Sequence, residues 1–449
     1  MNSINHWVSI GPIGHPKGVQ KYGRIYQLKI LISFSFMIKK RIVFNNFSDY
    51  QFTVLKAKGS FLWNNQGKKL IDFASGWNVT NLGWNHPEIT QAMIKQIKTN
   101  TYIPQWTLDP IQEKYAEELA KSLPKGLNCF TRETSGASAN IMALKTARAY
   151  TGKKKIVSFK DTFHGSLYSL LELGYSPNYA VAKAVSLNFQ NNIHLDYPRV
   201  KSSDKNEKQI LTFFEKNLEK VLKDNKDVAA IVCEAGIITG WGSTFVAPKG
   251  FLTAIRKLTK KYHVLLILDE VGTGFSRCGK LFGLEIENVI PDIITFAKGM
   301  VNGAAAIGAM GTTKEIAEKT INKSNPQATF GWMPDACAAS LKTLEIHKRD
   351  RIWEKAKKDG DYLLQTLQSE LKNNSLIEDI NGIGMEIGVH LQKNEKINMR
   401  KMITKAEELG LHLAYADDDN FQIMPPLTIE RNVLNKGVEI FVKLLDLFQ

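Results

Sequence analysis

Lys298 closes the apolar run Ile293-Ile294-Thr295-Phe296-Ala297 and is followed directly by Gly299. Read alone, such a lysine marks where a strand meets water, because exposed lysines are the rule. An amine in that position can also attack a carbonyl, provided it is kept neutral, which its ordinary pKa of about 10.4 does not allow. Two carboxylates occupy comparable places. Glu234 ends "VAAIVCE", and Asp269 stands at the end of the apolar run in "VLLILDE". A carboxylate at a buried strand end needs a charged partner or takes up a proton. "TSGASAN" sets Ser135-Gly136-Ala137 at the start of a helical stretch, where free N–H groups and the helix dipole favour an anion. Taken by itself, that pattern is an ordinary N-cap. In "DTFHG", Phe163 and His164 offer a flat wall for a ring, or simply a turn with Phe163 packed inward.

These residues must be positioned by the elements around them. Strand-like runs cover 154–160, 228–234, 264–270, 292–297 and 306–312, and helical stretches such as "PKGFLTAIRKLTKKYH" intervene. Near-continuous apolar strands alternating with helices predict an α/β fold, a largely parallel sheet covered on both faces. Ligands bind such sheets at the carboxyl ends of the strands. Glu234, Asp269 and Lys298 all fall at such ends. Before them, "GSFLWNNQGKKLIDFASG" reads as a β-hairpin and "HPEITQAMIKQIKTN" and "DPIQEKYAEELAKSLP" as helices. After them, "GIGMEIGVHL", "NFQIMP" and "NMRKMITKAEELG" read as a smaller α+β unit.

Composition narrows the function. The 449 residues are 43% hydrophobic and 23% charged, as in a globular protein large enough for more than one domain. The net charge of +15 is scattered rather than blocked, which favours small anionic ligands over nucleic acid as the main partner. Cys129, Cys233, Cys278 and Cys337 lie far apart, with no metal-binding spacing. The apolar segment Leu28 to Ile38 is about half the length needed to span a bilayer, so residues 1–50 read as an arm packed on the body or on a partner subunit, with membrane association of the arm as the lesser alternative.

From about Gly59 onward the chain resembles the class III aminotransferases, which use pyridoxal 5'-phosphate on the fold type I scaffold. The resemblance is carried by "DEVGTGFSRCGKLFGLEIENVIPDIITFAKG" together with "SGASAN", "FHG", Glu234 and "TFGWMPDACAA" in the same order. It implies that Lys298 holds the cofactor as a Schiff base and moves the proton, and that Asp269 pairs with the pyridine nitrogen. Val271 and Phe163 would cover the two ring faces, with His164 and Glu234 close by. Gly136 and Ala137, beside Ser135, would give N–H groups to the phosphate, and Thr329 would reach the phosphate of a neighbouring subunit. A cytoplasmic homodimer with shared sites follows. So does a seven-stranded-type, mostly parallel sheet in a large domain over 101–335. The smaller α+β domain would come from both termini, 51–100 and 336–449.

The departures from the family concern substrate. Gln422 in "FQIMPPLT" stands where glutamate-using members have a carboxylate-binding arginine, and Thr239 where they have that arginine's glutamate partner. Losing both together leaves no buried charge unpaired. Gly272 replaces a frequent glutamine, Ser138 a glutamate and Trp332 a glycine. Trp77 lies in a stretch that lines the family's substrate pocket; both tryptophans read equally well as core packing. The sequence predicts a transaminase taking an amine, an ω-amino acid or an amino intermediate, with an oxo acid as acceptor. The alternatives are a racemase, epimerase or aminomutase on the same fold, or a non-catalytic binding protein.

Overall fold

The strands form where Val, Ile and Leu run unbroken, because both sheet faces are covered and neither face selects for polar residues. All seven residues of Val228–Glu234 are buried, as are the four of Ile293–Phe296. The structure, a computed structural model, describes residues 52–174, 176–185, 191–240, 244–393, 397–414 and 419–449. Val54–Gln449 form one compact unit. The N-terminal arm expected over 1–50 lies outside the described residues. Among those described, no helix is long and apolar enough to cross a membrane.

In chain order the strands are β1 Val54–Lys58, β2 Phe61–Asn64, β3 Lys69–Asp72, β4 Leu127–Glu133, β5 Lys155–Phe159, β6 Asn192–Leu195, β7 Val228–Glu234 and β8 Ile237–Ile238. They continue as β9 Phe245–Val246, β10 Leu265–Asp269, β11 Ile293–Phe296, β12 Gly308–Thr313, β13 Ile377–Ile383, β14 Glu386–Leu391, β15 Leu411–His412 and β16 Asn420–Ile423. The large sheet has seven strands in the order β4-β12-β11-β10-β7-β5-β6. Its five strands from β11 to β6 run parallel, and β12 and β4 close one side antiparallel. Register places Asp269 opposite Glu234 on one side and Thr295 on the other, so three polar residues stand abreast at the carboxyl edge. Flanking sheets β1-β2-β3-β15 and β13-β14-β16 are built from the two ends of the described chain.

Two features differ from the sequence reading. β4, "LNCFTRE", carries no apolar run and is only half-buried over most of its length, so nothing but its pairing to β12 marks it as a strand. "GIGMEIGVHL" is not one strand but the turn and second arm of a hairpin, folding back at Gly384 with φ +60°. A Cβ at Gly384 would lie 2.5 Å from the Arg277 carbonyl oxygen, so only glycine lets the hairpin approach that loop.

Candidate active site

At the end of β10, Asp269 is 2% exposed. Its Oδ2 accepts from His164 Nδ1 and from Asn140 Nδ2, both at 2.7 Å, and its Oδ1 accepts from the Val271 amide at 2.9 Å. Thr295 on β11 fixes the Asn140 amide by donating to its Oδ1 at 2.7 Å. Burial pushes the Asp269 carboxyl up, but the His164 bond and charge, with the Val271 and Asn140 donors, outweigh it and hold the pKa below the ordinary value. Burial likewise pushes His164 down, and the bond and charge of Asp269 reverse the sign and raise it. Each group thus favours the charged form of the other. An ionised carboxylate has about four lone-pair positions. Three are used here, so one remains on Oδ1 for a further donor.

Lys298 stands on the turn after β11. Ala297 is extended, and Lys298 has φ +49°, a left-handed conformation that a side chain adopts at a cost of order 1–3 kcal/mol. Gly299 makes that turn possible: a Cβ there would come within 2.7 Å of Asn81 Nδ2. The lysine is half-buried. Burial lowers its pKa against the opposing charges of Glu234, Asp269 and Glu386. The neutral fraction that nucleophilic chemistry requires is thereby increased.

Glu234 at the end of β7 is 3% exposed. Its Oε2 accepts from the Thr239 amide at 2.8 Å and the Thr239 hydroxyl at 2.5 Å, while Oε1 has no partner among the described residues. Burial first, and then the Asp269 charge, push its pKa up to about 7. Thr239 also explains Gly272. A Cβ at 272 would sit 1.8 Å from Thr239 Oγ1 and 2.8 Å from its Cβ, so the threonine fills the space a side chain at 272 would need. Gly272→Ala is expected to cost about 1–3 kcal/mol by overpacking. In a Thr239→Gly background the cost should shrink, a coupling that paired chemical-denaturation curves measure. Equal cost in both backgrounds would show that the two positions do not share this space.

The helix Gly136–Thr151 starts beside this edge. Ser135 caps it, its hydroxyl accepting from the Ser138 amide at 3.1 Å, and the Ser138 hydroxyl returns to the Ser135 amide. The first-turn N–H groups of Gly136 and Ala137 have no intrahelical carbonyl to meet, as at any helix start. A Cβ at Gly136 would lie 2.9 Å from Val271, and one at Gly165 would lie 2.8 Å from the Ala137 Cβ. Small residues thus close the helix start onto Val271 and the Phe163–Gly165 turn. Phe163 is backed by Gly240, where a Cβ would lie 2.7 Å from the Phe163 Cβ.

Of the remaining expected residues, Gln422 is fully buried on β16, with Nε2 at 3.2 Å from both the Gly240 carbonyl and the Thr244 hydroxyl. Trp77 is half-buried against Ala74, Ala414 and Met424. Trp332 packs on Tyr115 and Phe130 and donates its indole N–H to the Gly308 carbonyl at 2.8 Å, which is core packing. Thr329 lies on an exposed turn. Asn140 was missed as the brace of Asp269, although it belongs to the "SGASAN" stretch. Glu386, whose charge acts on Lys298, was missed too, and no local pattern announces it.

The layout, reactive groups at the carboxyl edge of a mostly parallel sheet with a capped helix start beside them, is that of the fold type I transferases. Solved structures agree: an (S)-enantioselective omega-transaminase from Thermomicrobium roseum superposes with a TM-score of 0.84 at 27% identity, over 94% of this chain and 98% of the other. The chain belongs to the class III aminotransferases, whose family description, aminotransferase class-III, matches residues 44–445. It is 30% identical over 391 residues to the acetylornithine aminotransferase of Bacillus cereus, covering 87% of this chain and 94% of that one. With the acetylornithine aminotransferase of Streptococcus mutans it shares 29% over 405 residues, 90% of this chain and 98% of the relative. Enzymes of this family are transaminases that depend on pyridoxal phosphate and pair an amino donor with an oxo acid.

Proposed function

We propose that this protein binds pyridoxal 5'-phosphate and transfers an amino group from an amine, an ω-amino acid or an amino intermediate, with Lys298 as its reactive amine. The observation that carries this reading is the single spare lone pair on Asp269 Oδ1, held ionised by His164, at the strand beside Lys298. The residues present fit the cofactor. Asp269 suits a protonated ring nitrogen, Val271 and Phe163 suit the two ring faces, and the Gly136 and Ala137 amides beside Ser135 suit a phosphate. The buried acceptor Glu234 Oε1, with His164 Nε2 also lacking a partner among the described residues, leaves polar capacity for a bound group. Bound pyridoxal phosphate supplies an electron sink at the carbon that bears the amino group. Lys298 Nζ would take the proton from that carbon and deliver it to the cofactor carbon that ends up bearing the amino group. The His164 bond and charge, with the Val271 and Asn140 donors, favour the ionised form of Asp269 against burial.

The test mixes cofactor-loaded protein with a panel of amines and no oxo acid. One equivalent of carbonyl product per site supports transamination. Many turnovers of an isomerised amine, with no carbonyl product, would favour a racemase, epimerase or mutase.

The protein acts as a homodimer in the cytoplasm, with a large domain over 101–335 that carries the cofactor and a smaller one from 51–100 and 336–449. Support for the dimer comes from the surface beside Thr329. Trp106 is 81% and Phe330 61% exposed, and Phe330 meets Tyr102 with ring centroids 6.1 Å apart. Arg132 ties the same face together by donating to the carbonyls of Gln105 and Thr107. An aromatic patch of this kind suits a subunit interface. Trp106→Glu should weaken self-association roughly tenfold or more, seen as a shift to monomer by light scattering. An unchanged mass at matched concentration would remove Trp106 from the interface.

A further inference from the structure

A further fully buried carboxylate, beyond Glu234 and Asp269, acts on Lys298 by its charge. Glu386 opens β14 and is 0% exposed. Its Oε2 accepts from Asn78 Nδ2 at 2.7 Å, and its Oε1 accepts from the Thr244 hydroxyl at 2.8 Å, with Gln422 Nε2 at 3.5 Å. All three partners are neutral. No ion pair to Glu386 occurs among the described residues. Burial pushes its pKa up and the charge of Arg277 opposes this, yet Arg277 gives its terminal donors to the carbonyls of Met385 and Pro425 and to Asn81 Oδ1.

A second acceptor lies alongside. Asn78 is 1% exposed, and its Oδ1 has no partner among the described residues. Because its Nδ2 is bound to Glu386, this oxygen must lie within a few ångströms of the carboxylate. Asn78 is held there by an unusual backbone. Ser75, Gly76, Trp77 and Asn78 have φ of +45°, +56°, +58° and +63°, a left-handed turn that costs roughly 1–2 kcal/mol at each non-glycine residue. Asp72 anchors it by accepting from the Ala74 and Ser75 amides. The same segment packs on the lysine turn: a Cβ at Gly303 would lie 3.2 Å from Val79 and 3.1 Å from Thr80. The charges of Lys298 and Glu386 act on each other. Gln422 links this cluster to Gly240, the residue behind Phe163.

We propose that Asn78, Thr244, Glu386 and Gln422 receive the far end of the amino substrate, and that this end is a positively charged hydrogen-bond donor, a second ammonium group, rather than a carboxylate. The proposal rests on the transamination reading for the near end of the same substrate. A buried carboxylate with neutral partners gains most from a cation, and charge-assisted bonds are the strong ones. A substrate carboxylate would find no cationic donor among these four side chains. An ammonium has three donors, enough for Glu386 and Asn78 Oδ1 together.

The test uses cofactor-loaded, unmodified protein and three compounds of matched length: 1,4-diaminobutane, 1-aminobutane and 4-aminobutanoate. Each is titrated while the absorbance of the bound cofactor and the carbonyl product are followed. The diamine should half-saturate at a concentration at least roughly tenfold lower than the monoamine, with the amino acid weakest. Glu386→Gln should bring the ratio of diamine to monoamine close to one. Equal saturation by the diamine and the monoamine, or tightest binding of 4-aminobutanoate, would overturn the proposal. If Glu386→Gln does not fold, the three-compound comparison decides alone. Melting shifts of the same loaded protein read binding without turnover. The expected rank order there, with no carbonyl product from any compound, would keep this inference and overturn transamination.

Discussion

Lys298→Ala should reduce transamination by at least about a thousandfold while leaving the melting temperature close to that of the parent. The size follows from the role. Lys298 Nζ is the only amine at this edge among the groups described above, and a positioned general base is worth about 10²–10⁴ in rate. It is also the group that would attack a carbonyl, so two functions vanish with one side chain. The small effect on stability follows from its surroundings. Burial lowers the lysine's pKa, so the charged amine gains nothing from being there. The strained φ of +49° remains in the alanine variant and is not relieved. Carbonyl product per site and a thermal melt measure the two halves. Retained turnover would remove Lys298 from the chemistry. Lost turnover with a collapsed melt would make it structural.

Asp269→Asn should cost roughly 10²–10³ in rate, the range for removing one preorganised electrostatic contact. It should also invert the pH dependence that His164 gives to stability. In the parent, His164 has a raised pKa. Its contribution is fully present below the unfolded value of about 6.5 and is lost as pH rises through the folded value. Asp269 has a lowered pKa, so its contribution is present above about 3.9 and is lost as pH falls through the folded value. Without the Asp269 carboxylate, burial, the largest influence on His164, is opposed only by the smaller effect of the Glu234 charge and depresses it. The folded variant then binds fewer protons than the unfolded chain, and stability falls as pH drops below about 6.5. Melting temperatures of parent and variant between pH 5 and 8 give the comparison. Parallel curves would show that His164 is not charged by Asp269.

How far the sequence reached depends on the kind of signal. Asp269, Glu234 and Lys298 were legible as strand-end residues because each terminates an unbroken apolar run, and a covered parallel sheet needs such runs. The helix start at Ser135 was legible because capping chemistry is local. The lack of an arginine at 422 and of its glutamate partner at 239 could be read, but not the consequence. Only packing shows that Thr239 fills the space above Gly272 and holds Glu234.

The sequence by itself determined the sheet's parallel strands, the places of Asp269 and Lys298 at the ends of apolar runs, and the family to which the chain belongs. Each depends on residues close together in the chain or on one uninterrupted pattern. The tertiary structure alone decided that β4 pairs with β12, that Asn140 braces Asp269, and that Asn78, Thr244, Glu386 and Gln422 meet. Those contacts join segments up to several hundred residues apart. Burial makes polar groups find partners wherever the fold brings them, and no local pattern records which ones they will be.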